Sequence, residues 1–443
     1  MKVLKFGGTS VGSAARMKEV ARLVNDGQKK IVVLSAMSGT TNTLVEISDY
    51  LHKKNIHAAS ETINALQQKY RHHVDELYAH DDCKQKAWEI ISSIFDNIRS
   101  YTKGLFTLYE EKIILAQGEL ISTQMFNLYL QEQGINSVLL PALDYVRTDK
   151  DSEPDLHFIR KHLGELVEKN SDADIYVTQG YICRNIYNEI DNLQRGGSDY
   201  TASLVGAAID ADEIQIWTDI DGLHNNDPRV VEHTFPIRKL SFDEAAELAY
   251  FGAKILHPTC VQPAKSANIP VRLLNTMEPE APGTLISNDT ERGKIKAIAV
   301  KDNITAIKIK SSRMLLAYGF LRKIFEIFES YHTPIDVVCT SEVGVSMSID
   351  NDKNLDEIVS DLKNYGTVEV DTDLCTVCVV GDLRYENLGF EAKIVDALRD
   401  IPVRMISYGG SRYNMTFLIK AEDKVRALQM LNDKLFNHDE GKA

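Results

Sequence analysis

Apolar residues follow two different patterns along the chain. Through about residue 295, short apolar runs alternate with amphipathic stretches. Val3-Leu-Lys-Phe6 reads as a strand, and the all-apolar Ile31-Val-Val-Leu34 reads as a strand buried in a parallel sheet. Between them, Met17, Val20, Ala21 and Val24 recur at helical spacing. Further strands are predicted at Ile175-Tyr-Val-Thr178, Ile214-Gln-Ile-Trp217 and Ile269-Pro-Val-Arg-Leu-Leu274. Ser241-Phe-Asp-Glu244 is a capping box opening a helix through Glu247 and Phe251. Residues 43–116 carry neither a strand run nor a proline, which predicts a helical excursion, a candidate lid. Alternating strands and helices predict an α/β domain with a mostly parallel sheet, whose ligands gather at the carboxyl ends of the strands.

Beyond about residue 295 an internal repeat appears. Gly319-Phe320 with Lys323-Ile324 recurs as Gly389-Phe390 with Lys393-Ile394, 70 residues later. In each copy a short helix leads to a proline and a strand, Pro334-Ile-Asp-Val-Val338 and Pro402-Val-Arg-Met-Ile406. An alternating strand follows, Val343–Ile349 and Tyr413–Ile419, and then an amphipathic helix, 355–363 and 424–436. A repeated unit of strand, helix, strand, strand and helix predicts two small modules for sensing a small molecule. A structural dimerisation tail is the plainer alternative.

Composition narrows the class. The 443 residues suggest roughly three domains at about 150 residues each. A net charge of −14 makes a phosphate backbone an unsuitable partner, so no nucleic acid is expected. No window reaches the roughly 18 apolar residues of a membrane span, and the N-terminal apolar stretch is too short for a signal peptide. A cytoplasmic location without membrane attachment is expected. Of the six cysteines, only Cys375 and Cys378 form a CxxC; with no second pair nearby, a buried strand is the better reading than a metal knuckle.

Any anion must therefore be met by local positive features; four segments supply them, and a fifth, acidic one accompanies them. In Lys5-Phe-Gly-Gly-Thr-Ser10 a strand ends in consecutive glycines, so backbone N–H groups can approach an anion, and Lys5 adds a point charge. Ser13-Ala14 stands where a Walker A loop needs Lys-Ser/Thr, so this is either a different cradle or a tight turn. A second Gly pair, in Arg195-Gly-Gly-Ser198-Asp199, opens a helix. There Arg195 suits a bidentate carboxylate clamp, and Asp199 either orients a lysine or caps. Trp217-Thr218-Asp219 enters an Asp-rich loop reaching Asp227-Pro-Arg229, and Lys254 follows a helix in Phe251-Gly-Ala-Lys254. Gln117-Gly-Glu119 is read as a helix start, with Glu119 either a dipole residue or the acceptor of an ammonium group. Two anion cradles, two lysines, an arginine clamp and an ammonium acceptor fit phosphoryl transfer onto an amino acid.

These segments, together with Phe251-Gly-Ala-Lys-Ile-Leu-His-Pro258, resemble the aspartokinases over essentially the whole chain. The resemblance implies a three-layer αβα amino acid kinase fold at 1–295, followed by two ferredoxin-like ACT domains at 296–370 and 371–443. The strand 295–300 would join the second ACT unit. It implies transfer of the ATP γ-phosphoryl group to L-aspartate, giving 4-phospho-L-aspartate on the route to lysine, threonine and methionine, with Mg²⁺ accompanying ATP. Lys5 and Asp199 would be catalytic. Ser35, Thr41, Glu119, Arg195 and Ser198 would hold aspartate. Lys5, Gly7, Gly8, Ser10, Thr218, Asp219, His224, Arg229 and Lys254 would line the ATP site, although His224 stands where lysine-sensitive members carry a tyrosine. Met314, Phe320, Leu321, Ile335, Asp336, Thr340, Ser341 and Glu342 would receive an inhibitory amino acid, lysine favoured over threonine, with Ala317 and Pro334 replacing small hydroxyl residues. A homodimer or tetramer through the ACT units is implied, with no room after Ala443 for a fused homoserine dehydrogenase. The alternatives are a kinase for glutamate, N-acetylglutamate or carbamate, and a catalytically silent amino-acid sensor.

Overall fold

The computed structural model describes residues 1–193, 196–252, 258–314 and 318–436. The chain forms two compact units. The first comprises 1–223 and 255–289, the second 224–254 and 290–443.

In the first unit, seven strands lie in the order Ser137–Leu140, Ile175–Gln179, Lys30–Leu34, Lys2–Phe6, Ile214–Thr218, Val271–Asn275 and Thr284–Ser287. All neighbours are parallel except the last pair. The central strands are buried on both faces, which explains why the sequence shows continuous apolar runs rather than alternation. Leu4, Phe6, Val32, Leu34, Ile175 and Val177 share one core with the helices between 14 and 132. Val3, Ile31, Val33 and Tyr176, on the other pleat, are equally buried outside that cluster. Helices therefore cover both faces, giving three layers.

The structure departs from the sequence pattern in three places. The excursion after residue 40 is four helices, Thr40–His52, Ile56–Leu77, Asp81–Ser100 and Leu108–Glu132. Their apolar faces (Leu44, Ile63, Tyr70, Ile91, Phe95) belong to the main core, so the bundle is part of the domain body rather than a separate cover. Glu119 sits in the middle of the last helix, not at its start, because the helix begins at the Thr107/Glu110 capping box. The strands Ser137–Leu140 and Thr284–Ser287 and the hairpin Ile182–Arg184/Ile190–Asn192 carry patterns too short to read in advance.

The second unit holds an antiparallel sheet of six strands, in the order Val337–Thr340, Gly344–Ile349, Ile295–Lys310, Thr367–Gly381, Asn414–Lys420 and Val403–Tyr408. The two long central strands are bulged near Asn303 and Asp373, both at positive φ. Each contributes one end to each of two cores: Ile298 and Val377 to one, Ile307 and Val368 to the other. Gly319 and Gly389 occupy the cap position before equivalent helices with φ of 76° and 89°. That left-handed geometry favours glycine, which is the physical content of the repeated motif. Cys375 and Cys378 are fully buried in the Thr367–Gly381 strand.

The division between units differs from a single cut at residue 295. Segment 224–254 packs with the C-terminal portion: the Asn226 side chain donates to the Leu428 carbonyl, and Ser411 and Asn414 both donate to Glu247 at 2.6 Å.

Candidate active site

Because the strands run parallel, the segments after Phe6, Leu34 and Gln179 emerge at one edge of the sheet. There they wall a cavity of about 460 Å³ with the start of helix Gly197–Ala208 and the middle of helix Leu108–Glu132. Lys5, Gly8, Ser35, Thr41, Glu119, Ser198 and Asp199 line it together.

Lys5 stands next to the carboxyl end of strand Lys2–Phe6, and its Nζ lies 2.6 Å from Asp199 Oδ1. Both side chains are nearly buried, at 11% and 12% exposure, so the charges interact with little solvent screening. Asp199 is in the first turn of its helix, where the helix dipole favours a carboxylate. That helix starts at Gly196, with φ of 74°. Its close seating depends on Gly180, where a Cβ would lie 2.5 Å from Ser198 Oγ.

Glu119 is 3% exposed. Its Oε1 accepts the Ala36 N–H at 3.1 Å, while its Oε2 has no hydrogen-bond partner among the described residues. Gly118 makes this contact possible: a Cβ there would come within 2.7 Å of Ala36 Cβ. Burial dominates the carboxyl's titration and pushes its pKa up to about 7, against the lowering effect of the Ala36 N–H. A buried carboxylate oxygen without a partner in a cavity wall is an acceptor for a ligand cation.

The remaining residues singled out from the sequence fall elsewhere. Gly7 lies beside the cavity, with the site of its absent Cβ 3.6 Å from Lys5 Nζ. The Ser10 hydroxyl is paired with Thr276 at 2.7 Å. Thr218 Oγ1 accepts the Ile220 N–H in the turn that contains Asp219. His224 and Arg229 belong to the second unit, with His224 Nδ1 3.1 Å from Thr234 Oγ1. Arg229 is exposed and grips Asp227 through Nε and Nη2 at 2.9 and 2.7 Å. Arg195 and Lys254 lie outside the described residues.

In the second unit, Met314, Phe320, Leu321 and Ile335 pack around one core. Thr340, the last residue of strand Val337–Thr340, and Ser341 and Glu342, which follow it, are exposed. The Asp336 carboxylate accepts from Tyr250 Oη at 2.8 Å and from Lys301 Nζ at 3.1 Å, and Lys301 also reaches Asp350 at 2.8 Å.

Reading by motif missed three features. Tyr181 lines the cavity at a φ of 69°, a strained backbone that no residue type announces. Met37, Ser38, Gly39 and Asn42 line it as one loop. Lys69 and Tyr70, from a helix distant in sequence, bond to that loop.

The family profile described as "Amino acid kinase family" matches residues 1–275, and one described as "ACT domain" matches 377–435. The chain belongs to the amino acid kinase family. Within it the chain is an aspartokinase homologue. It is 31% identical to lysine-sensitive aspartokinase 3 of Escherichia coli over 98% of this chain and 99% of the relative. It is 32% identical to the chloroplastic aspartokinase 1 of Arabidopsis thaliana, over 98% of this chain and 80% of that one. Among solved structures, E. coli aspartokinase III in complex with aspartate and ADP superposes with a TM-score of 0.84 at 30% identity, covering 98% of this chain and 100% of that one. The same enzyme in complex with lysine and aspartate gives 0.81 at 32%, with 98% and 99% covered.

Proposed function

We propose that the cavity binds L-aspartate and that the chain is an aspartate kinase, passing the γ-phosphoryl group of ATP to the substrate β-carboxylate to give 4-phospho-L-aspartate and ADP. The observation that carries this reading is Glu119 Oε2, buried and without a partner among the described residues, in the same cavity as the Lys5–Asp199 pair. An arriving ammonium group would ionise Glu119 and pair with it. N-acetylglutamate and carbamate bring no ammonium group, so they would leave that carboxylate uncompensated or protonated.

The acceptor carboxylate has a pKa of about 3.9 and is already ionised at neutral pH, so the transfer needs no general base. What the site must supply is charge neutralisation and alignment. Lys5 offsets charge on the transferred phosphoryl group, and Asp199 fixes where the ammonium of Lys5 points. Ser35, Thr41 and Ser198 frame the substrate, and Arg195 takes its α-carboxylate. On the nucleotide side, the Gly7-Gly8 backbone, Ser10, Thr218 and Asp219 belong to the first unit. His224, Arg229 and Lys254 are proposed for ATP on family resemblance. Mg²⁺ neutralises phosphate charge when bound with ATP. Glu119 and Asp199 are committed to the substrate ammonium and to Lys5, a donor set that suits an ion carried mainly by the phosphates.

Inhibition by an end-product amino acid, lysine, would act through the second unit at Met314, Phe320, Leu321, Ile335, Asp336 and the Thr340-Ser341-Glu342 segment. Assembly as a homodimer or tetramer through the ACT pair is proposed with it; light scattering with and without lysine tests the assembly. The deciding assay traps the acyl phosphate as its hydroxamate with aspartate, glutamate, N-acetylglutamate and carbamate as acceptors. Product from aspartate alone is expected. ADP release that is absent with aspartate, Mg²⁺ and ATP all present would return the silent-sensor reading.

A further inference from the structure

The loop 35–42 carries most of one wall of the cavity, yet little within the loop fixes its own shape. Gly39 caps the following helix in a left-handed conformation (φ 81°) and has no side chain with which to bond the helix's free N–H groups. Local anchors come from the chain start: the Ser38 N–H donates to the Gly8 carbonyl at 3.1 Å. The start of the loop is held from helix Leu108–Glu132, where Glu119 accepts the Ala36 N–H and Ser122 Oγ donates to the Ser35 carbonyl at 2.8 Å. The stretch from Ser38 to Thr40 is anchored from helix Ile56–Leu77, about 30 residues further on. Lys69 Nζ donates to the Ser38 carbonyl at 2.9 Å, and the buried Tyr70 hydroxyl is 2.9 Å from Thr40 Oγ1. The two adjacent side chains thus bracket Gly39, where a Cβ would sit 3.7 Å from Lys69 Nζ. Thr41, a cavity-lining residue, directly follows the bracketed segment.

We infer that Lys69 is a positioning residue for aspartate binding, acting by clamping the Ser38–Gly39 peptide so that Ser35 and Thr41 face the substrate in register. The inference rests on the aspartate reading of the cavity. Lys69 is exposed, so its side chain contributes little to packing. Its bond to a carbonyl is charge-assisted, stronger than a neutral one. An arginine retains a cationic donor of similar reach; a methionine retains only the stem.

Steady-state kinetics of the full-length enzyme test this with Lys69→Met, Lys69→Arg and Tyr70→Phe. Lys69→Met is expected to raise the aspartate KM roughly 5- to 30-fold, with the ATP KM within about twofold and thermal unfolding unchanged. Lys69→Arg should recover most of the loss. Tyr70→Phe should raise the same KM, and the double variant should fall short of the product of the two effects, since both hold one loop. An unchanged aspartate KM in Lys69→Met overturns the assignment, as does a rise confined to ATP, which would make Lys69 a phosphate-attracting charge. Glu119→Gln, run alongside, separates the two failures: if its aspartate KM is also unchanged, the reading of the cavity falls, and with it this one.

Discussion

Glu119 carries two opposed tendencies in one side chain. Burial disfavours its ionised form, the Ala36 N–H favours it, and the ammonium group proposed to bind there would favour it further. Its folded pKa of about 7 lies above the unfolded value of 4.5. The folded state therefore holds a proton that the unfolded state has released between these values, and stability falls as pH rises through that window. Glu119→Gln is expected to make the ligand-free protein more stable at pH 8, by roughly 2 kcal/mol on the scale of about 1.4 kcal/mol per pKa unit after allowance for relaxation. The same variant should raise the aspartate KM by about 10²-fold through loss of a charge-assisted bond. Calorimetry and kinetics on one preparation check both signs. In the wild type, the aspartate KM should climb as pH falls below about 7, because Glu119 then binds a proton in place of the substrate. Lys5→Ala is expected to lower kcat by about 10³-fold with the fold retained, the order of loss for a donor that stabilises transition-state charge. Near-normal turnover would overturn the catalytic role proposed for it.

At the scale of elements, the motifs are statements about close approach. The glycine of Gln117-Gly-Glu119 lets a helix touch the loop at Ala36, and that contact holds Glu119 Oε1. Gly118→Ala should push the loop away and raise the aspartate KM with a smaller effect on ATP; equal effects on both substrates would point to general unfolding instead. The helix Phe242–Tyr250 ends on the Asp336 carboxylate, which Lys301 shares. Asp336→Ala is expected to relieve feedback inhibition while kcat in the absence of inhibitor is retained. Inhibition curves that coincide with wild type would remove Asp336 from the effector pathway. The helix Leu108–Glu132 explains why one motif was misplaced along its element: its capping box lies eleven residues before Gly118 at Thr107, and the motif itself carries no boundary signal.

At the scale of the whole molecule, the sequence-contiguous match to the kinase family and the compact units do not coincide, since 224–254 lies in the second unit. Asp382 anchors that unit's sheet. Burial alone would raise its pKa. The paired Arg384 guanidinium, the Gly293 N–H and Asn387 outweigh burial and hold it at about 2. Its stabilising contribution is complete above the unfolded pKa near 3.8 and is lost as pH falls toward 2. Asp382→Asn should therefore lower the melting temperature at pH 7 by a few degrees and much less at pH 2.5; an equal loss at both would show that packing, not charge, is what was removed.

Periodicity and punctuation along the chain determined the class of the fold, the two-fold repeat and several of the residues that line the cavity. Buried parallel strands must be apolar throughout, caps need particular side chains, and glycines mark backbones that meet something closely. Lys5, Glu119 and Asp199 were legible because each stands in a motif with a local physical reason. Their distances were not. The 2.6 Å pairing of residues 194 positions apart follows from strands placed side by side. The φ of Tyr181, the two anchors sent by helix Ile56–Leu77 and the membership of 224–254 in the second unit were likewise decided only in three dimensions. Each depends on contacts between residues far apart in sequence, whose energies no local window contains.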